Sequence, residues 1–191
     1  FREDKEQMRE LLKQYENLKY GRSHSFLEEE AFESLIDYFL EKDDVAQATE
    51  AAEIGCEHFP FSSLLLIKKA DVFLANHRYR DALEILEQVS VLDSGDINIY
   101  ILKTDAYLAL DMHEKAVALL EEAVAVFEGE EKIDLLFELA DVYDDHEDFE
   151  KVYDCLQMIL KEEPNTEVAL HNICFWTDFT GRNDESITLH K

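Results

Sequence analysis

The chain has 191 residues, 47% of them hydrophobic, with only 5 glycines and 2 prolines, a balance that points to a substantial core built from long helices with short connections. Its 45 acidic residues against 18 basic ones give a formal charge of −27, a field that repels nucleic-acid phosphate and anionic membrane surfaces. No apolar run approaches the roughly 20 residues of a membrane-spanning helix, and no secretory leader is visible in a chain that starts at Phe1. Cys56, Cys155 and Cys174 are odd in number and lack C-x-x-C spacing, which argues against a disulfide framework or a zinc site and suits a reducing, cytoplasmic setting.

Residues 1–28 come first and stand apart. Met8, Leu11, Leu12, Tyr15 and Leu18 recur at helical spacing and form one apolar face. "YGRSHS" at 20–25 reads as a helix stop at Gly21 followed by a loop, with Ser25 as the next N-cap. Six basic and six acidic groups leave this segment neutral, so the negative charge belongs to the rest of the chain.

From residue 29 the sequence repeats itself. Segments 29–62, 63–96 and 97–130 are each 34 residues long; 133–166 follows after two extra residues, Glu131 and Lys132, and 167–191 is a partial fifth copy. In each, two apolar stripes of helical period flank a polar turn: "EKDD" at 41–44, "NHR" at 76–78, "LDMH" at 110–113, "DHED" at 145–148 and "TGRN" at 180–183. Each copy is therefore expected to be a helical hairpin. The eleventh position holds Phe39, Phe73, Tyr107, Tyr143 and Thr177, four aromatics expected to pack one helix of the hairpin on the other. The twentieth holds Ala48, Ala82, Ala116, Val152 and Ser186, small side chains that let the two helices approach.

The period, the small twentieth residue and the prolines that close copies one and four, Pro60 and Pro164, together resemble the tetratricopeptide repeat family. The family's common glycine at the eighth position is replaced by Ile36, Ala70, Thr104, Ala140 and Cys174, and its fourth-position tryptophan is absent, Trp176 falling elsewhere. The resemblance covers 29–191. It implies an all-α, right-handed superhelical solenoid of antiparallel helix pairs, a TPR-like α-α superhelix that serves as a protein-interaction scaffold. The two extra residues are expected to lengthen the turn between copies three and four. Residues 1–28 then serve as a capping helix and loop for the exposed end of the array, a dimerisation helix being the alternative.

The resemblance also implies that the first helix of each hairpin lines a concave groove through its second, fifth, ninth and twelfth positions. The ninth holds Asp37, Asp71, Asp105 and Asp141. Aspartate is poorly suited to the middle of a helix, because its side chain competes for backbone hydrogen bonds. A carboxylate line flanked by Ile67, Ile101, Phe137, Leu74, Leu108 and His171 is expected to form a peptide-binding groove for a partner carrying basic and apolar residues. The competing reading is an internal ladder, with Asp71 paired to Lys68 one turn earlier or to Lys103 of the next copy. A basic clamp for a chaperone's C-terminal carboxylates is not supported, because Glu33 and Asp37 stand where the clamp needs cations.

Little suggests catalysis. His171 and Cys174 are two ligands without a third, "DVYDDHED" at 141–148 lacks the glycine and terminal glutamate of a calcium loop, and no phosphate loop, dinucleotide fingerprint or nucleophile elbow is present. The expectation is a scaffold, not an enzyme, with no cofactor or metal, no nucleic-acid or membrane partner, and a protein or peptide in the groove. The alternative is a regulatory or structural module of a longer multi-repeat or enzyme chain, its groove filled in cis.

Overall fold

The computed structural model describes residues 2–22 and 26–172. Ser25, Cys174, Thr177 and Ser186, to which the sequence assigned capping or packing places, lie outside the described residues, as do Trp176 and the "TGRN" turn. Among the described residues all regular structure is helical. The chain divides into two compact units, 1–102 and 103–191.

The first unit holds α1 (Arg2–Lys19), α2 (Glu29–Glu41), α3 (Val45–His58), α4 (Ser63–Ala75), α5 (Tyr79–Leu92) and the start of α6 (Ile97–Ala109), which runs across the division. Tyr15 of α1, 2% exposed, enters a cluster with Phe32, Leu35 and Ile36 of α2 and Ala48, Ala51 and Ala52 of α3, while Leu11, Leu12 and Leu18 pack along its edge. The α3 face is built of alanines and Gly55 for a steric reason. A Cβ on Gly55 would lie 3.1 Å from the Phe32 ring, so the absence of a side chain lets Phe32 lie flat against the α3 backbone. Lys19 pairs with Glu50, tying the end of α1 to α3. Ala70 and Phe73 of α4, Ala82, Leu86 and Val89 of α5, and Ile99 form a second cluster by the same large-on-small rule.

The second unit contains the rest of α6, α7 (His113–Val126), α8 (Gly129–Asp145), α9 (Phe149–Glu162) and a further helical stretch from 167 to 172. Ala116, Leu120 and Ala123 of α7, Leu135, Leu136 and Leu139 of α8, and Val152, Leu156 and Ile159 of α9 are buried.

The four hairpin turns among the described residues are closed in one way. The amides of Asp44, Arg78, Met112 and Asp148 donate to the carbonyls of Phe39, Phe73, Tyr107 and Tyr143 at 2.8–2.9 Å. The preceding residues, Asp43, His77, Asp111 and Glu147, donate to the carbonyl one position further on and take a left-handed φ of 58°. This is the Schellman arrangement, which satisfies the last carbonyls of the first helix and reverses the chain. The aromatic column thus has a backbone duty besides its packing one. Phe73 and Tyr143 are 5% exposed, whereas Phe39 and Tyr107 are half-buried. A cation covers three of these rings: the Arg78 guanidinium sits 4.1 Å from the Phe73 centroid, Lys151 lies 4.8 Å from Tyr143 and Lys115 lies 5.8 Å from Tyr107. Asp44 and Asp148 also accept from the amides of Gln47 and Lys151, capping α3 and α9.

The two extra residues do not lengthen the turn before α8. Four residues join α3 to α4 and α5 to α6, but only Phe127 and Glu128 stand between α7 and α8, and α8 has 17 residues where α2, α4 and α6 have 13. The insertion is absorbed as one more helical turn. Gly129 takes φ of +63°, a conformation open to glycine, and Phe127 is buried, so a tight corner replaces the proline-closed loop.

A left-handed residue bearing a Cβ costs about 1–2 kcal/mol, and Glu147 has neither glycine's freedom nor the short side chain of Asn or Asp. Glu147→Gly is therefore expected to raise stability by about 1 kcal/mol, read as a higher urea midpoint at unchanged m-value; an unchanged or lower midpoint would show that the turn carries no strain.

Candidate functional site

In the first unit the fifth and ninth positions of α2 and α4 bring Glu33, Asp37, Ile67 and Asp71 together around Lys68. The Lys68 ammonium lies 2.6 Å from Asp37 and 3.9 Å from Glu33. The internal-ladder reading set Lys68 beside Asp71, one turn away on its own helix; Lys68 does act on Asp71, and its ion pair bridges back to Asp37 of the preceding hairpin, because α2 and α4 pack side by side. Burial pushes the Asp71 carboxyl up; Lys68 opposes this and Asp37 adds to it. Glu33, Ile67, Lys68 and Asp71, with Leu64, Asn98 and Ile101, border a cleft of about 230 Å³. Ile67 is 8% exposed and belongs mostly to the core, and Leu74 packs against the same cluster, so the apolar flank in this unit is narrower than the sequence suggested.

The second unit carries Asp105 and Leu108 on α6 and Phe137, Asp141 and Asp144 on α8. Leu108 and Phe137 are half-buried, and Asp105, Asp141 and Asp144 are exposed. Between them sits Glu138, half-buried. Its carboxyl is pushed up by burial and then by Asp105, Asp141 and Asp134. Asp141 is pushed up in turn by burial and by Asp144 and Asp145. A cleft of about 260 Å³ runs past Phe137, Asp141 and Asp144 to Asn172, and the exposed His171 is its chain neighbour.

Glu138 was missed by the column reading, although the signal was there. It occupies the sixth position of its hairpin, which is Ser34, Lys68 and Leu102 in the earlier ones. The unit with Lys68 has a cation among its carboxylates, whereas the groups acting on Glu138 and Asp141 are all acidic.

Other reactive groups point away from catalysis. Burial pushes the Cys155 thiol up to about 12 and raises that of Cys56, so neither is a ready nucleophile. The His113 and His146 rings stack with centroids 3.2 Å apart, and burial followed by His146 lowers the affinity of His113 for a proton. Among the described residues no group of three or more His, Cys, Asp or Glu side chains is placed to hold a metal ion, and no helix is long and apolar enough to cross a membrane.

Residues 73–131 match the sequence profile of the tetratricopeptide repeat. That segment is a tetratricopeptide repeat. No curated protein matches the sequence. Solved structures show the same fold at low identity. MamA is 21% identical at a TM-score of 0.62, over 86% of this chain and 92% of that one. TTC0263, a thermophilic TPR protein of Thermus thermophilus, is 17% identical at a TM-score of 0.65, over 87% and 88%. Naa15/Naa10 bound to HypK-THB is 14% identical at a TM-score of 0.64, covering 84% of this chain and 24% of that one.

The carboxyls of Glu138 and Asp141 bind protons more readily in the folded chain than in the unfolded one. Their contribution to stability is lost as pH rises through the window from the ordinary carboxylate value to the raised folded value, and regained on acidification. His113, whose folded affinity is lowered, works in the opposite direction below the ordinary imidazole value. A Glu138→Gln, Asp141→Asn double variant keeps the histidine effect and removes the carboxylate one. Its Tm is expected to gain less than the wild type's between neutral and mildly acidic pH; parallel Tm profiles would show that the carboxyls titrate alike in both states.

Proposed function

We propose that the first-helix face of the second unit binds a protein segment bearing basic and apolar residues. The tetratricopeptide fold is a protein-interaction scaffold, and such arrays do not as a rule catalyse reactions. The observation that carries the finer reading is the sixth-position change from Lys68 to Glu138. It leaves Glu138 and Asp141 raised by acidic neighbours, so a cation brought by a partner would relieve a repulsion already present. Phe137 and Leu108 supply apolar surface beside the carboxylates. Asp37 and Asp71, gathered with Lys68, are assigned a weaker, secondary part, and His171 a place at the edge. The reduced thiols Cys56 and Cys155 fit a cytoplasmic setting.

The test is titration of an extended synthetic peptide alternating lysine or arginine with leucine. Wild type is expected to bind it with an affinity that falls as salt rises, and Asp105→Asn with Asp141→Asn to weaken it by about tenfold. Equal affinity in the two proteins across a salt series would remove the second unit's face as the site.

We also assign 1–28 the capping role. Deleting it uncovers the apolar residues that Tyr15, Leu11 and Leu12 now cover, so the truncated chain is expected to melt lower and aggregate. A soluble monomer of unchanged Tm in sedimentation would instead make α1 a dimerisation helix.

A further inference from the structure

In the first unit α1 is lightly seated. α2 and α3, like α4 and α5, pack along their lengths, whereas α1 lies against α2 over a short front and reaches α3 through the Lys19–Glu50 pair. Its residues 4–7, 9 and 10 are exposed, and Leu11, Leu12 and Leu18 are half-buried. Among its described residues only Tyr15 is buried. An element with so few buried contacts opens locally at little cost.

That one buried anchor carries a defect. The Tyr15 hydroxyl is buried and has no hydrogen-bond partner. The ring lies 6.2 Å from Phe39 and is covered by the Lys19 ammonium at 5.4 Å, but Glu50, the carboxylate that acts on the phenol, is paired with Lys19. Burial and then Glu50 push the phenol up, so it stays a donor without an acceptor. A donor left dry in this way weakens a contact by about tenfold. Phenylalanine would keep both ring contacts and remove the defect. The seat under α1 is therefore fitted better by another helix than by α1 itself. Its hairpin, 29–62, has ten acidic residues against one lysine, so a cation at the place of Lys19 suits it. A second copy of the chain would offer the same tyrosine with the same defect, against an α1 already tethered beside its seat, and so would not displace it.

We propose that α1 is a displaceable cover, and that its seat on α2 and α3 docks an amphipathic helix of another protein with the apolar spacing of Leu11, Leu12, Tyr15 and Leu18, a phenylalanine in place of the tyrosine, and a lysine or arginine in place of Lys19. This rests on the capping role assigned to 1–28 and is separate from the first-helix face of the second unit.

The probe is a fluorescent peptide with the sequence of residues 2–19 carrying Tyr15→Phe, set against the same peptide with its tyrosine and against the probe with Lys19→Glu. The wild-type chain is expected to bind the probe about tenfold more tightly than the tyrosine peptide, and the glutamate peptide more weakly than the probe. The chain carrying Tyr15→Phe is expected to melt higher and to take the probe about tenfold more weakly, because its own α1 no longer has the defect. One substitution thus strengthens binding in the peptide and weakens it in the protein, a reversal that general stickiness of an apolar helix would not produce. Amide hydrogen exchange on the wild type gives a readout that needs no variant to fold: saturating probe is expected to speed exchange in α1 and to leave α8 and α9 unchanged. No binding, equal affinity for the phenylalanine and tyrosine peptides, undiminished binding by the Tyr15→Phe chain, or unaltered exchange in α1 would overturn the proposal. The chain lacking 1–28 separates the two ways of failing. If it is a soluble monomer of unchanged Tm, the capping role falls and this proposal with it; if it aggregates while the wild type takes no probe, the displacement alone falls.

Discussion

Each hairpin depends on one hydrogen bond, from the amide that opens the second helix to the carbonyl of an aromatic residue a turn and a half earlier. It fixes where the first helix stops, and so fixes the phase of every side chain counted from that stop. The bond requires a left-handed residue just before the donor, and the chain meets that requirement at Asp43, His77, Asp111 and Glu147 without a glycine. Once the turn is set, the small residue at the twentieth position faces the first helix, and the alanines at 48, 82 and 116 allow contact between the two. The large-on-small core and the first-helix face of α8 follow from that register.

With the scaffold held in this way, function can vary at positions that do no packing. The sixth position of the first helix is one of these. In the first unit it supplies Lys68, which answers Asp37 and Glu33; in the second it supplies Glu138, which adds to the charge of Asp105 and Asp141. A single side chain therefore brings a cation to one carboxylate-rich face and a further carboxylate to the other. The backbone need not change for this to happen, as expected of an array whose stability is a sum of near-neighbour contacts.

The repeat, the hairpins and the packing columns could be read from residue types because they follow spacing, and spacing survives the absence of coordinates. Phe73, Ala82 and Leu86 are buried for the reason their positions suggested. What could not be read was direction. Lys68 lies one turn from Asp71 and 31 residues from Asp37, and sequence distance offered only the nearer of the two carboxylates it acts on; the side-by-side packing of α2 and α4 adds Asp37. The same limit explains Glu131 and Lys132. Two extra residues are compatible with a longer loop or a longer helix, and the outcome turned on Gly129, whose positive φ makes a two-residue corner possible.

The N-terminal helix is electrically unlike the body on which it rests. Residues 1–28 balance six positive against six negative groups, and Lys19 contacts Glu50 of a hairpin that is strongly acidic. In dilute buffer, where charges are felt over a long range, the acidic hairpins repel one another while this neutral segment is spared and its lysine is drawn in. Added salt relaxes the repulsion and weakens the Lys19 contact together. Ionic strength therefore acts with opposite sign at the two places: the seam between α1 and the array is held most firmly under the same conditions that strain the array itself.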